Sequence, residues 1–291
     1  MNGITMLAIG NQTYGTWALS LARSIKSFHD IPIQLVCEES TVKNIDKSPF
    51  DIITPINEAH SRRGGRLSPS FAKLSIYEYF PDWEKVMFID VDALCIAPFL
   101  DLFDAVDDVP YKIQTWGKTS QKTGIFKDML WMKIEHMRKV FDLPDQEIPG
   151  TNSSFHLMKM GAEAESVFTD ALKAYHHFEQ NCTTKDLYMT WGRKKQNAVY
   201  PDELFFNASL ARRSGYDGLN PIKFHYPRQG TFKGVQETVN EGYRFLGFWG
   251  DKQYNSRELQ QTYSLLIKKY LSKSERVDIT RMLQGKFVVS N

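Results

Sequence analysis

The sequence predicts an α/β fold, in which helices flank a mainly parallel mixed sheet and a helical tail follows at the C-terminus. Short apolar runs alternate with amphipathic stretches along most of the 291 residues, as they do in β-α-β units. A hydrophobic content of 42% supplies a sizeable core in a chain of this length. No repeat and no Pro/Gly/Ser-rich linker divides the chain before the tail. We therefore expect one domain over residues 1–255 and a separate tail over residues 256–291.

The first predicted elements form a β-α-β unit. ITMLAIG predicts a strand, and IPIQLVCE predicts a second one. Between them, GTWALSLARSIKSF predicts a helix because its apolar residues recur at helical spacing. Ser68 and Pro69 suit the cap and the first position of a helix over SPSFAKLSIYEYF, and KVMFIDVDALCI predicts the next strand. The chain thus begins as an open α/β sheet begins.

The middle of the chain continues this alternation less regularly. FKDMLWMKIEHMRKVF and AEAESVFTDALKAYHHF predict helices, and SSFHLMKM between them predicts a strand. In the tail, QQTYSLLIKKYLSK predicts a helix with an apolar stripe. The stripe consists of Tyr263, Leu266, Ile267, Tyr270 and Leu271.

The charge of the tail leaves two interpretations open for this helix. From Ser256 onward, 7 Lys and Arg stand against 3 Asp and Glu, so the tail carries +4 and the rest of the chain −2. A terminal helix with an apolar stripe usually packs on its own domain. A basic amphipathic helix can instead lie on an anionic membrane surface, which is the alternative.

Composition excludes several classes of protein. The 36 Lys and Arg and 34 Asp and Glu leave a net charge of +2, so we expect no nucleic-acid partner. Cys37, Cys95 and Cys182 are odd in number and far apart, which favours a reducing compartment over a disulfide framework. Neither a signal peptide nor an apolar run of about 18 residues is found. We expect a cytoplasmic protein, with peripheral attachment to a membrane as the alternative.

Two carboxylates stand at the end of the predicted strand VMFI. Asp90 and Asp92 are one residue apart, and side chains at i and i+2 of an extended segment point to the same side. Two acids this close repel each other unless a cation lies between them. Open α/β sheets bind ligands at the carboxyl ends of their strands. This position favours a divalent metal site for a diphosphate, and a turn with a capping Asp90 and a solvated Asp92 is the alternative.

The stretch SFAKLSIYEYFPDWEKVMFIDVDALCIAPFLDLFD, residues 70–104, resembles the metal-site region of the family 8 retaining glycosyltransferases, which include glycogenin and bacterial galactosyl- and glucosyltransferases. Four further stretches resemble blocks of that family in the same order: AIGNQTYGTWALSLARSIK, TNSSFHLMKMG, PDELFFNASL and KFHYPRQGTFKG. The sequence departs from the family at Ser154, where Gly is usual, and at Glu203, where Gln is usual. The Lys-Pro-Trp that normally follows the late histidine is also missing.

The resemblance implies a GT-A fold and a metal-dependent hexosyltransferase. The enzyme would use Mn²⁺ or Mg²⁺, take a hexose from a UDP-sugar, and transfer it with retention to a hydroxyl of a glycan, a lipid-linked acceptor or a protein. Asp90, Asp92 and His225 are the implied metal ligands. Tyr14 would stack on the uracil ring, and Asn11 would hydrogen-bond the uridine.

Three basic residues are candidates for contacts with the donor phosphates. Lys73 matches the family's basic residue in the helix before the metal strand. Arg66 belongs to the loop SRRGGRLS, which could close over a diphosphate, and Lys233 is the nearest replacement for the missing family lysine. Each assignment has a structural alternative: a solvated cation for these three residues, packing on a neighbouring tryptophan for Tyr14, and a structural histidine for His225.

Asn152 and Asp202 are the groups that the resemblance places at the reacting centre. An amide and a carboxylate suit sugar hydroxyls, which both donate and accept hydrogen bonds. The implied reaction is a front-face substitution in which the leaving UDP helps to deprotonate the acceptor. Lys73, Asn152 and Asp202 are therefore the candidate catalytic residues. The remaining histidines of the middle region match no pattern and are expected to be surface or satisfied core residues; they are His136, His156, His176 and His177.

Two other classes of function stay open. A non-catalytic relative that binds a nucleotide-sugar or a glycan would fit the altered Lys-Pro-Trp region. A phosphatase of the haloacid dehalogenase type also has Asp-x-Asp after an apolar strand, with the first Asp as nucleophile. Leu94 and the segment GFWGD fit that second class poorly.

Overall fold

The structure is a computed structural model that describes residues 1–119, 131–187, 200–213, 224–225, 232–248, 257–277 and 279. Within these residues the strands are β1 (Asn2–Ala8), β2 (Ile33–Cys37), β3 (Ile52–Pro55), β4 (Arg62–Arg63), β5 (Arg66–Leu67), β6 (Lys85–Asp90), β7 (Ala93–Cys95), β8 (Tyr111–Thr119), β9 (Ile148–Lys159), β10 (Phe224–His225) and β11 (Phe245–Gly247). The α-helices are α1 (Gln12–Lys26), α2 (Glu39–Val42), α3 (Glu58–Ser61), α4 (Pro69–Leu74), α5 (Ile134–Phe141), α6 (Ala162–Asn181), α7 (Asp202–Ala211), α8 (Val235–Asn240) and α9 (Arg257–Tyr270).

The main sheet has six strands in the order β3-β2-β1-β6-β9-β8. β1 pairs in parallel with β2, and β2 pairs in parallel with β3, whereas β8 and β9 are antiparallel. β1 and β2 are buried along almost their whole length, as expected for parallel strands that are covered on both faces. The predicted α/β class, a mainly parallel mixed sheet flanked by helices, is confirmed.

Two smaller sheets accompany it. β7, β11 and β10 form a three-stranded sheet, and β4 pairs with β5 in a short hairpin. Gly64 and Gly65 connect β4 to β5 with φ angles of 56° and 75°, a conformation that favours glycine. The stretch SRRGGRLS, expected to be a flexible loop, is therefore a hairpin, because its Gly-Gly pair matches the turn that joins two strands tightly.

The chain divides into two compact units. Unit 1 comprises Met1, Ile56–Met87 and Phe103–Ile222, and unit 2 comprises Asn2–Pro55, Phe88–Leu102 and Lys223–Asn291. The boundary expected near residue 255 is not tested by this division and stays a prediction.

Helix α1 gives unit 2 much of its core. It begins after Asn11, whose Oδ1 accepts a hydrogen bond from the backbone N–H of Thr13 at 2.9 Å. Gly15 allows α2 to approach closely, because a Cβ at that position would lie 2.1 Å from the carbonyl oxygen of Thr41. Any larger residue at position 15 would therefore displace α2.

The tail helix α9 packs within unit 2. Its buried residues Leu259, Tyr263 and Ile267 follow a spacing of four, and Leu271 directly after the helix continues that spacing. Arg23 of α1 donates a hydrogen bond from Nη1 to the carbonyl oxygen of Tyr270 at 2.6 Å, and its Nη2 lies 3.1 Å from Oε1 of Glu275. The interpretation that this helix packs on its own chain is confirmed. Among the helices described, none is long and apolar enough to cross a bilayer.

Candidate functional site

The paired acids lie in unit 2, between the end of β6 and the start of β7. Asp90 is the last residue of β6, and Asp92 precedes β7 directly. Both acids are half-buried, while Val91 between them is buried. The backbone N–H of Phe248, which follows β11, donates to the carbonyl oxygen of Asp92 at 2.7 Å. This backbone contact holds the main chain of Asp92 in place. As the sequence predicted, two neighbouring carboxylates stand at the end of a strand.

Tyr14 lies in the first turn of α1 and remains 38% exposed. Its ring packs edge-on against Trp17, with 5.5 Å between centroids and 87° between planes. Burial of the hydroxyl raises the pKa of Tyr14, and the negative charges of Asp92 and Asp90 raise it further. The phenol is therefore neutral at pH 7 and lies within the electrostatic field of both acids. The fold thus places Tyr14 near enough to Asp90 and Asp92 for their charges to act on its hydroxyl, and the ring also packs against Trp17, which is the alternative interpretation.

Asn11 and Glu38 shape the loop before α1. The carbonyl oxygen of the Asn11 side chain caps the helix, as described above. The N–H of Gly10, which has a φ of 103°, donates to Oε2 of Glu38 at 2.9 Å. Sequence reasoning missed Glu38; its signal was a carboxylate directly after the second strand, at the sheet edge where ligands bind.

The structure describes only the backbone of His225, whereas it describes the side chain of Lys233. The backbone of His225 forms β10 beside Leu246 of β11, and its side chain is outside the described part of the structure. Lys233 is 68% exposed in its side chain, and its Nζ lies 3.8 Å from Oε1 of Glu241. No group of three or more His, Cys, Asp and Glu side chains that could hold a metal occurs among the described residues. The ligand set Asp90, Asp92 and His225 therefore stays a prediction.

The two acids themselves suit a divalent cation. Carboxylate oxygens are the ligands that Mg²⁺ and Mn²⁺ prefer. Asp90 and Asp92 are half-buried, and partial desolvation increases the mutual repulsion of two carboxylates. A bound cation would relieve that repulsion. The described residues thus supply two fitting ligands.

In unit 1, Lys73 and Asp202 form a buried ion pair. Nζ of Lys73 in α4 lies 3.2 Å from Oδ2 of Asp202, the first residue of α7, and each side chain is only 12% exposed. The hydroxyl of Ser153 in β9 donates to the same carboxylate oxygen. Burial opposes ionisation of Asp202, but the Lys73 charge and the Ser153 hydrogen bond outweigh it and hold the pKa of Asp202 below its usual range. Asp202 is therefore an ionised acceptor in a site with little water.

His156 is fully buried and feels the charges of both members of this ion pair. Its Nε2 lies 2.8 Å from the carbonyl oxygen of Ser153, and its Nδ1 lies 2.7 Å from the hydroxyl of Tyr111. Burial, followed by the charge of Lys73, lowers the pKa of His156 to about 3. The ring is therefore neutral at pH 7, with Nε2–H donating to the carbonyl and Nδ1 accepting from Tyr111. His156 is a satisfied core residue, as expected.

Asn152 and Arg66 occupy different surroundings in unit 1. Asn152 is 7% exposed, and its Oδ1 accepts from the N–H of Ser154 at 2.9 Å. It lies in β9 beside irregularities in the pairing with β8, a feature that often redirects side chains next to functional sites. Arg66 is exposed at the hairpin, whereas the neighbouring Arg63 pairs with Glu179.

Sequence reasoning missed the role of Ser153 in this group. A serine in an apolar strand has no distinctive signal, and its partner Asp202 is 49 residues away in the chain. The assignments of Lys73, Asn152, Asp202 and Arg66 to substrate stay predictions.

Several glycosyltransferases are among the solved structures with a similar fold. The structure of the galactosyltransferase LgtC in complex with donor and acceptor sugar analogs matches with a TM-score of 0.57 at 15% identity, over 99% of this chain and 100% of that chain. The bifunctional glycosyltransferase WbbM matches with a TM-score of 0.52 at 12% identity, over 84% of this chain and 45% of that chain. Mouse xyloside xylosyltransferase 1 gives 0.50 at 14% identity, over 85% and 98% of the two chains.

At these identities the likeness establishes the fold. The chain has the GT-A-like fold of these glycosyltransferases. Its sequence matches no protein-family model and no curated protein.

Proposed function

We propose that this protein is a metal-dependent glycosyltransferase, which moves a hexose from a UDP-sugar to an acceptor hydroxyl with retention of configuration. One observation carries the proposal: a half-exposed tyrosine ring at the start of α1 shares its surroundings with the paired acids Asp90 and Asp92. An aromatic face stacks on a nucleobase, and paired carboxylates attract the cation that accompanies a diphosphate. The GT-A-like fold supports the same chemistry.

The donor is proposed to bind through its nucleotide in unit 2. Tyr14 stacks on the uracil, and Asn11 hydrogen-bonds the uridine. Asp90, Asp92 and His225 would hold Mn²⁺ or Mg²⁺, which when bound neutralises charge on the departing diphosphate. The Lys233 side chain is exposed, and its Nζ lies 3.8 Å from Oε1 of Glu241, a long distance for an ion pair. Such an exposed ion pair contributes little, so Lys233 can turn to the diphosphate at little cost.

The sugar and its reacting centre are proposed to involve Lys73, Asn152 and Asp202 of unit 1. The ionised Asp202 carboxylate accepts hydrogen bonds from sugar hydroxyls, and Lys73 donates to the sugar or the phosphates. Because burial excludes water from this pair, both contacts are stronger than they would be in bulk solvent. Arg66 is exposed on the hairpin and is the further cation proposed for the diphosphate.

The proposed acceptor step needs no protein base. In a front-face substitution the leaving UDP takes the proton of the acceptor hydroxyl. The acceptor is proposed to be a glycan, a lipid-linked sugar or a protein, and the compartment is proposed to be the cytoplasm. Exposed Lys268, Lys269 and Lys273 would add at most an electrostatic attraction to anionic lipid.

The first test is UDP release from a panel of UDP-sugars with and without Mn²⁺. Asp92→Asn should abolish metal-dependent UDP release while the protein stays folded, because it removes one of the two anionic ligands. Asp30→Asn is the matched control, since the Asp30 side chain is fully exposed in the same unit. Near wild-type turnover in Asp92→Asn would reject the metal assignment.

The same assay separates the other classes of function. Release of inorganic phosphate without UDP would indicate a phosphatase. Binding of UDP-sugar with neither hydrolysis nor transfer, across the panel of acceptors, would indicate a non-catalytic relative.

A further inference from the structure

Ser153 lies in the buried strand β9 and contacts two catalytic candidates of unit 1, Lys73 and Asp202. The residue is 0% exposed in β9. Its hydroxyl donates to Oδ2 of Asp202 and lies 3.4 Å from Nζ of Lys73. One small side chain therefore contacts both members of the ion pair.

The backbone of Ser153 is fixed by a second set of contacts. Its carbonyl oxygen accepts from Nε2–H of His156 at 2.8 Å, and the His156 ring is held in that tautomer by the hydroxyl of Tyr111 at 2.7 Å. Tyr111 and His156 are 2% and 0% exposed. A satisfied buried network of this kind is rigid, because breaking any member leaves a polar group without water or partner.

The carboxylate of Asp202 depends on this support for its orientation. The backbone of Asp202 is set by the start of α7, immediately after Pro201. Its side chain is held by Lys73 and Ser153. If Lys73 donates to the sugar or the phosphates, as proposed above, its pull on the carboxylate weakens during the reaction. The Ser153 hydroxyl then keeps the carboxylate in place.

We propose that Ser153 is a positioning residue, whose hydroxyl keeps the Asp202 carboxylate oriented toward the sugar while Lys73 engages the donor. This inference rests on the proposed glycosyl transfer. His156 and Tyr111 extend the same role, because they fix the peptide that carries the hydroxyl.

Kinetics of Ser153→Ala test the role in turnover. We expect kcat to fall by about 10- to 100-fold with a nearly unchanged KM for the donor, because misorientation of a reacting group affects the transition state more than ground-state binding. Ser209→Ala is the matched control. Ser209 is equally buried in unit 1, and its hydroxyl donates to the carbonyl oxygen of Val167 at 2.8 Å instead of to the network.

The pH dependence of kcat gives a readout that a merely structural role would not change. Among the described residues, the charged and titratable groups that face Asp202 are Lys73 from α4 and His156 from β9. Loss of the Ser153 hydrogen bond should raise the pH at which kcat falls on the acidic side, whereas Ser209→Ala should leave that limb in place.

A double-mutant cycle measures the contact without any activity. Urea unfolding of wild type, Ser153→Ala, Asp202→Asn and the double variant should show non-additive changes in stability, because the two side chains share one hydrogen bond. Additive changes would overturn the proposal. Wild-type kcat and an unmoved acidic limb in Ser153→Ala would also overturn it. Non-additive stability with no turnover of any UDP-sugar by wild type would reject glycosyl transfer and leave the Ser153–Asp202 contact established.

Discussion

At the scale of single residues, substitution of Tyr14 distinguishes a ring that stacks on a base from a ring that only packs against Trp17. Tyr14→Ala should weaken UDP binding by roughly 1–3 kcal/mol, because the exposed ring face is lost. Tyr14→Phe should retain most of the affinity, since the neutral hydroxyl contributes no charge to the contact. Titration calorimetry with UDP and Mn²⁺ measures both changes.

A matched control for this prediction lies near the end of the same helix. Phe28 is 37% exposed, almost as much as Tyr14, and follows the C-terminal end of α1, whereas Tyr14 lies in its first turn. Phe28→Ala should leave the UDP dissociation constant unchanged. An unchanged constant in Tyr14→Ala as well would assign Tyr14 to packing against Trp17.

His156 gives the protein a predictable dependence on pH. Its pKa is lowered from 6.5 to about 3 in the folded state, so only the unfolded chain takes up this proton between those values. The stability that comes from a neutral His156 is therefore complete above about pH 6.5 and is lost as the pH falls toward 3, by up to about 1.4 kcal/mol per pH unit.

Urea unfolding at pH 7 and pH 5 tests this dependence. His156→Gln should lose less stability than wild type between the two pH values, whereas His177→Gln, which changes an exposed histidine, should lose as much as wild type. If His156→Gln does not fold, the imidazole signals of His156 in the wild-type NMR spectrum should stay unchanged between pH 7 and pH 5. Titration of those signals near pH 6.5 would contradict the prediction.

At the scale of elements, the tail helix α9 contributes packing to unit 2. Ile267 is 0% exposed, so Ile267→Ala removes a buried side chain and should cost roughly 2–5 kcal/mol. Leu265 is two residues away and 62% exposed, so Leu265→Ala should change stability by less than about 0.5 kcal/mol. Thermal unfolding compares the two variants, and equal melting temperatures would show that the helix does not pack as described.

At the scale of the whole molecule, the burial of Tyr263 and Ile267 decides how the protein should behave with membranes. Tyr263 and Ile267 are 0% exposed, so they are not available to enter a bilayer. Among the described residues of the helix, a single exposed Leu265 and the exposed lysines remain. Salt screens the lysine charges within about 8 Å at physiological ionic strength. We expect the protein to stay in the supernatant with anionic liposomes at that ionic strength. Co-sedimentation that persists in high salt would require the helix to leave its packed position.

Much of the fold follows from patterns along the chain. The alternation of apolar runs and amphipathic stretches predicted the α/β sheet, because side chains repeat with the period of the element that carries them. The position of Asp90 and Asp92 at a strand end was also predictable, since it depends on neighbouring residues. The Gly-Gly hairpin was predictable in principle but was interpreted as a loop, because glycine indicates a turn and flexibility alike.

The sequence by itself determined the class of fold, the paired acids and the candidate residues. Only the tertiary structure decided which residues meet. Ser153 and Asp202 are 49 residues apart, and Arg23 and Tyr270 are 247 apart, so no local pattern connects them. The lowered pKa of His156 and the burial of Tyr263 and Ile267 in the tail helix also depend on the tertiary structure, because burial is a property of packing between distant segments.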